Sequence, residues 1–410
     1  MEHSHKVGVV IVGAGHAGYQ TAESLRQEGY EEPIILISDE PYVPYQRPPL
    51  SKAYLLGETD KERLRFRTAD YYAEQGVDLW LNVSVSAIDR KARRVVLNDG
   101  KNIPYGNLVL ATGARVRKLT VAGTDLKGVY YLRTLGDIEP IEARLESAKN
   151  IVVIGGGFIG LEFAAVARKL KKTVTILEVS SRVLGRVVSP ELSNFFSSLH
   201  ESQGAEIVCD AEVVEIVGNW RAVSAVICGD GREYKADIVL IGIGVTPNIE
   251  LADAAELACK NGIIVDEHSR TEDTHIYAAG DCTSYLHPFA GKPIRLESVQ
   301  NANDQGRSAA AAIANNPKPY ETVPWFWSIQ YDVKLQMAGL REGCDETVQR
   351  GNMMANKFSL FHFRNGQLRA VDSVNRPIDY IQARKLLAAG ISPSPEEVAD
   401  EDFNLKNFTV

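Results

Sequence analysis

Cysteine is scarce and scattered, with five residues in a chain of 410, at positions 209, 228, 259, 282 and 344. There is no Cys-x-x-Cys and no close pair, so the spacing offers neither a zinc site nor a disulfide framework. A reducing compartment suits it, and the expected location is cytoplasmic. Excess positive charge is missing too. The 45 Lys and Arg against 53 Asp and Glu leave a net charge of -8, and no domain-wide basic surface is available to neutralise phosphates, which argues against nucleic acid as the main partner. Long apolar runs are lacking as well. The polar opening MEHSHK passes into Val7 to Val12, too short for a signal core or a membrane span. That run reads as a buried strand, and no membrane association is expected.

What is present is a repeated sentence. With 410 residues and 45% hydrophobic content, the chain can bury more than one core, and ordinary domain sizes predict two to three domains. The first 40 or so residues read strand (Val7 to Val12), glycine turn GAGHAG at 13 to 18, helix to about Glu28, and strand Pro33 to Ser38 ending at the acidic Asp39 and Glu40. The pattern is rewritten at Asn150 as the strand IVVI, the turn GGGFIG at 155 to 160, an Ala, Val and Leu helix, and the strand TVTIL ending at Glu178. Each copy continues alike: VVLNDGKNIPYGNLVLATG (95 to 113) and VICGDGREYKADIVLIGIG (226 to 244) both read as strand, Asp-Gly hairpin and apolar strand closing on glycine. A further strand, IYAAGDC, precedes a helical run from Asn301 to Ala314. After Pro324 come the strands KFSLFHF and QLRAVDSV on either side of Arg364-Asn365-Gly366, then a helix from Pro377 to Ala389. The fold class expected is α/β, with two Rossmann-like dinucleotide-binding domains and a C-terminal α+β domain.

In each fingerprint the first glycine (Gly13, Gly155) allows the tight turn, the second (Gly15, Gly157) admits a pyrophosphate, and the third (Gly18, Gly160) lets helix and strand pack closely. The helix N-terminus then turns its unpaired N–H groups toward the diphosphate. An acidic residue at the end of the next strand receives ribose hydroxyls: Asp39 or Glu40 in the first copy, Glu178 in the second. Glu178 would repel a 2'-phosphate and favours NADH over NADPH, although the nearby Arg182 could instead welcome that phosphate, and Glu178 could be an ordinary solvated residue. Two nucleotide sites in one chain suggest hydride passing from one cofactor to the other, because nicotinamide delivers two electrons that a flavin accepts together and releases singly.

The order GAGHAG, PYQRPPLSK (44 to 52), ATG (111 to 113), GGGFIGLE (155 to 162), GIGVTPN (242 to 248), IYAAGDC (276 to 282), ESVQNANDQG (297 to 306) and PWFWSIQY (324 to 331) resembles the FAD-dependent NADH:ferredoxin reductases of oxygenase electron-transfer systems, the putidaredoxin reductase type with its glutathione reductase-like double nucleotide fold. The resemblance spans nearly the whole chain. It implies an FAD-binding domain of residues 1-115 and 245-322, an NAD-binding domain of 116-244 and a C-terminal domain of 323-410. It also implies that the first fingerprint, with His16 and Ala17, holds FAD together with Arg47, Lys52, Ala111, Thr112, Gly113, Gly280 and Asp281, the last bonding the ribityl chain. The second fingerprint, with Phe158, Ile159 and Glu178, holds NADH. Arg186, Gly244, Glu297, Ser298, Val299 and Trp327 complete the expected cofactor contacts.

Lys52 and Glu162 are candidates for an ion pair beside the flavin ring, where a fixed positive charge stabilises negative charge on a reduced flavin; otherwise they are a solvated lysine and a glutamate favoured by its helix dipole. Trp327 would lie near the flavin and the docking partner, or else serve as a core aromatic. Disulfide reductases of the same superfamily relay electrons through cysteines, and Tyr42 to Lys52 contains none. Electrons should therefore leave the flavin directly for an external one-electron acceptor, a 2Fe-2S ferredoxin and indirectly its oxygenase. Docking could use Lys61, Arg63, Arg65 and Arg67, although Glu58, Asp60 and Glu62 balance that charged face. Rival readings are a rubredoxin reductase or other NADH:acceptor oxidoreductase on the same fold, a redox sensor resembling apoptosis-inducing factor, and an assembly factor without turnover. A monomer or weak homodimer is expected.

Overall fold

A computed structural model of the chain describes residues 7–219 and 222–408; the polar opening at 1–6 lies outside the described residues. The chain forms two compact units, Met1–Gln46 with Lys61–Arg115 and Pro247–Phe326, and Arg47–Asp60 with Val116–Thr246 and Trp327–Val410.

In the first unit the run VVIV forms the strand Val9–Val12, buried along its length because both faces of a parallel sheet are covered. It pairs in parallel with Ile34–Ile37 on one side and Asn107–Leu110 on the other. Ile276–Ala278 and Val77–Trp80 extend the sheet at its two edges. The helix His16–Gln27 covers one face and packs along the helix Val299–Ile313. Gly306 permits that approach, since a Cβ there would stand 2.9 Å from the Ala17 carbonyl oxygen.

The second unit repeats the plan. Asn150–Ile154 is flanked in parallel by Thr173–Leu177 and Ile238–Ile241, with Glu206–Val208 and Val129–Tyr130 at the edges. Each nucleotide sheet carries a three-stranded antiparallel excursion, as the Asp-Gly turns indicated: Val85–Asp89, Arg94–Leu97 and Asn102–Pro104 in one, Val213–Asn219, Ala222–Cys228 and Glu233–Lys235 in the other.

From Trp327 on, the second unit also holds a five-stranded sheet whose strands, in order, are Trp325–Gln330, Val333–Gly339, Gln367–Val374, Lys357–Arg364 and Glu346–Asn352. Its central hairpin turns on Asn365 (φ 51°) and Gly366 (φ 71°), the left-handed pair that a two-residue hairpin requires. The helix Pro377–Ala389 packs on this sheet. Among the described residues no helix is long and apolar enough to cross a membrane, no group of His, Cys, Asp and Glu could hold a metal ion, and all five cysteines are free.

Candidate functional site

The two fingerprints agree bond for bond. Gly13 N donates to Ile37 O and Gly155 N to Leu177 O, both at 2.8 Å, while Ala111 N donates to Val12 O and Gly242 N to Ile154 O, again at 2.8 Å. Both first glycines have φ of 106°. A Cβ on Gly13 would lie 2.2 Å from Ala111 O, and one on Gly155 would lie 2.5 Å from Gly242 O, so only glycine passes beneath the neighbouring strand end. The third glycines close helix onto turn: a Cβ at Gly18 or Gly160 would stand 1.8 or 2.2 Å from the carbonyl oxygen of Gly13 or Gly155. Gly157 differs, since a Cβ there would meet only Gly242 O, at 3.9 Å. A methyl group there would project into space that the rest of the turn does not fill.

The helices His16–Gln27 and Phe158–Lys169 start at Gly15 and Gly157 without a side-chain cap. Thr134, Ser189 and Ser298, by contrast, each cap the helix they precede. A helix N-terminus preceded by glycine, at the carboxyl edge of a parallel sheet, suits an anion. The residues present therefore fit two dinucleotides.

Around the first fingerprint, Gly280 (φ 90°) packs with its Cα toward Ala17, where an added Cβ would be 3.1 Å from the Ala17 Cβ. Its N–H donates to Gln305 Oε1 at 2.8 Å, and the half-buried Asp281 follows in the turn just beyond the strand Ile276–Ala278. Thr112 is locked to Asn248 reciprocally: Thr112 Oγ1 donates to Asn248 O at 2.7 Å and Asn248 Nδ2 to Thr112 O at 2.8 Å. Asn248 N donates to Gly113 O at 3.0 Å. Asp39 is exposed, whereas Glu40 accepts from Tyr45 OH at 2.5 Å. Glu297 pairs with Arg295 at 2.5 Å, Ser298 accepts from Asn301 N at 3.1 Å as a helix cap, and Val299 opens that helix half-buried.

At the second fingerprint, Glu178 accepts from Gly156 N at 2.7 Å and from Ser180 N at 2.8 Å, which fixes its carboxylate against the glycine turn. Arg182, the sequence's alternative for a 2'-phosphate, donates instead to Val188 O at 3.0 Å and Gly185 O at 2.7 Å. Arg186 is exposed and stands over Gly244, whose added Cβ would be 3.3 Å from its guanidinium. Phe158 is half-buried and Ile159 is exposed.

Lys52 and Glu162 do form an ion pair, Nζ to Oε2 at 2.7 Å, with side chains 18% and 2% exposed. Lys52 also donates to Pro48 O at 3.3 Å. Glu162 accepts from Ser51 Oγ at 2.6 Å and Ser328 Oγ at 2.7 Å, so this buried carboxylate has a donor on each oxygen. Arg47, just before that turn, donates to Arg133 O at 3.1 Å. Trp327 is only half-buried, on the strand face opposite Ser328 and Gln330. The basic cluster is partly engaged, with Arg65 held by Glu62 and Arg67 3.9 Å from Glu23. Ser51, Asn248, Ser328 and Gln330, which lie within the sequence motifs but carry no sequence signal of their own, bond directly to Glu162, Thr112 or Ser328, and nothing in the pattern around His200 marks it.

Residues 7–306 match the family Pyridine nucleotide-disulphide oxidoreductase, and 325–409 match the family Reductase C-terminal. Rhodocoxin reductase of Rhodococcus erythropolis is 46% identical over 98% of this chain and 94% of its own. The crystal structure of the ferredoxin reductase for the CYP199A2 system of Rhodopseudomonas palustris is similar with a TM-score of 0.96 at 45% identity, over 99% of this chain and 100% of that one. The reductase in the covalent putidaredoxin reductase–putidaredoxin complex reaches 0.96 at 41% identity, over 98% of both.

Proposed function

Because the chain belongs to the pyridine nucleotide-disulphide oxidoreductases, and within them to the NAD(P)-dependent ferredoxin reductases, we propose that it carries electrons from NADH through FAD to a 2Fe-2S ferredoxin serving a monooxygenase or dioxygenase. The observation that carries this reading is the pair of matching glycine turns, joined in the same chain to the buried Lys52–Glu162 pair. When bound, the flavin accepts a two-electron hydride and gives electrons up one at a time.

The protein's own residues bind and orient. The uncapped helix N-termini at Gly15 and Gly157 hold the two pyrophosphates, with FAD at the first and NADH at the second. Thr112, Gly280 and Asp281 belong to the FAD site, along with Arg47. Glu178 faces the adenosine ribose of NADH and repels a 2'-phosphate, and with Arg182 held on backbone carbonyls the balance favours NADH. Lys52 offers a positive charge to the flavin ring, and Glu162 fixes where that charge stands. Trp327 would lie near the flavin and the docking partner, as the family resemblance implies. No cysteine lies between Tyr42 and Lys52, which argues for a one-electron ferredoxin acceptor over a disulfide substrate reached by a thiol relay. We also read the division into FAD-binding, NAD-binding and C-terminal domains, and a cytoplasmic location, as part of this function.

The test is anaerobic bleaching of a 2Fe-2S ferredoxin's visible absorbance by NADH with a catalytic amount of this protein, beside a matched rubredoxin. Rapid bleaching of the ferredoxin alone is expected. Rapid reduction of the flavin with neither partner bleached would overturn the assignment of the acceptor.

A further inference from the structure

Behind the Lys52–Glu162 pair runs a line of buried hydrogen bonds that no role assigned so far requires. Ser328 Oγ, besides donating to Glu162 Oε1, accepts from Gln330 Nε2 at 3.2 Å. Gln330 Oε1 lies 2.9 Å from His200 Nε2, and His200 Nδ1 lies 3.1 Å from Tyr331 OH. Ser328, Gln330 and His200 are 1%, 1% and 0% exposed.

The sense of every bond follows from its end. A carboxylate only accepts, so Ser328 donates to it; Ser328 must then accept the Gln330 amide hydrogen; the Gln330 carbonyl oxygen only accepts, so His200 carries its hydrogen on Nε2; and His200 Nδ1 receives the Tyr331 hydroxyl. Burial pushes the His200 imidazole down to about 4, which leaves one donor and one acceptor nitrogen, as the line requires. Other buried side-chain polar atoms of the described residues lack partners, Gln305 Nε2 and His287 Nε2 among them, but none in this line does. The line is made possible by strand alternation: Ser328 and Gln330 share the inward face of Trp325–Gln330, so one reaches the helix Phe158–Lys169 and the other the helix Pro190–Ser202.

We propose that Ser328, Gln330 and His200 are positioning residues for electron transfer, a one-way line of donors that fixes the Glu162 carboxylate and through it the place of the Lys52 ammonium. This rests on the placement of Lys52 at the flavin. A fully satisfied polar line orients its end group more firmly than isolated pairs do, whereas an apolar packing of equal volume would leave Glu162 Oε1 without a donor.

The test compares Ser328→Ala, Ser328→Thr, Gln330→Leu and Lys52→Met in the FAD-loaded protein, by flavin midpoint potential and by the stopped-flow rate of flavin reduction by NADH. Ser328→Ala removes a single hydroxyl and adds no volume. Its potential is expected to shift in the same direction as that of Lys52→Met, with a rate about tenfold lower at unchanged affinity for NADH, the effect of about one hydrogen bond to a charged group. Ser328→Thr is expected to restore both. In side-chain 15N NMR, His200 is expected in the Nε2-protonated form at neutral pH, and mixed in Gln330→Leu. If Ser328→Ala and Gln330→Leu keep the wild-type potential while Lys52→Met moves it, the line does not position the charge and the proposal falls. If Lys52→Met itself leaves the potential unmoved, the placement of Lys52 at the flavin fails first, and the His200 spectrum still reports whether the line exists.

Discussion

Acid should destabilise this protein through His200 before most carboxylates titrate. The imidazole is fully buried, donates to Gln330 and accepts from Tyr331, and burial lowers its pKa from 6.5 to about 4. The folded form is the neutral one, so the unfolded chain takes up the proton first. Stability is therefore complete above pH 6.5 and is lost as pH falls toward 4. At about 1.4 kcal/mol per pH unit the full effect is roughly 3 kcal/mol, of which about 2 kcal/mol is gone by pH 5.0. Urea unfolding of the wild type and His200→Gln at pH 7.5 and 5.0, with FAD in excess, isolates the contribution. Glutamine does not titrate, and other groups, including His287, which burial also lowers to about 4, cancel in the difference. The wild type should lose about 2 kcal/mol more than the variant between the two pH values. Equal losses would refute the reasoning, because they would mean that His200 titrates alike in both states.

Other perturbations separate fold from binding. Gly157→Ala, whose new methyl meets only Gly242 O at 3.9 Å, should stay folded and keep its FAD while the NADH requirement rises at least tenfold; Gly155→Ala, with φ of 106° and a 2.5 Å clash, should lower the unfolding midpoint. Glu178→Ala should raise the KM for NADH and narrow the preference over NADPH with the FAD content unchanged; loss of FAD instead would reverse the assignment of the two fingerprints. Arg350, 5% exposed, donates to the carbonyls of Val398, Asp400, Glu401 and Phe403. Arg350→Lys cannot reproduce that fork and should cost about 2–3 kcal/mol, read as faster proteolytic release of the segment after residue 398.

The nucleotide sheets were legible because their rules are local. A glycine with φ of 106° beneath a neighbouring strand, a fully apolar strand, and an acidic residue at the next strand's end all leave marks within about 30 residues of sequence, and the copy at Asn150 repeated them. The hairpin at Asn365 and Gly366 and the helix Pro377–Ala389 were equally readable, from turn chemistry and periodicity.

The surroundings of Glu162 obey no local rule. Ser51, Lys52, Ser328, Gln330 and His200 are separated by up to 279 positions, and a serine or a histidine in sequence reads as a surface residue or a cap as readily as a link in a line. The sequence also offered Arg182 as a phosphate ligand, and only the folded turn shows its guanidinium on two carbonyls. What the sequence determined alone is the two glycine turns and the parallel strands they join, because backbone conformation limits residue choice at each position separately. Which polar side chains work together was decided by tertiary structure, because a buried donor or acceptor takes whichever partner packing brings within 3 Å, however distant along the chain.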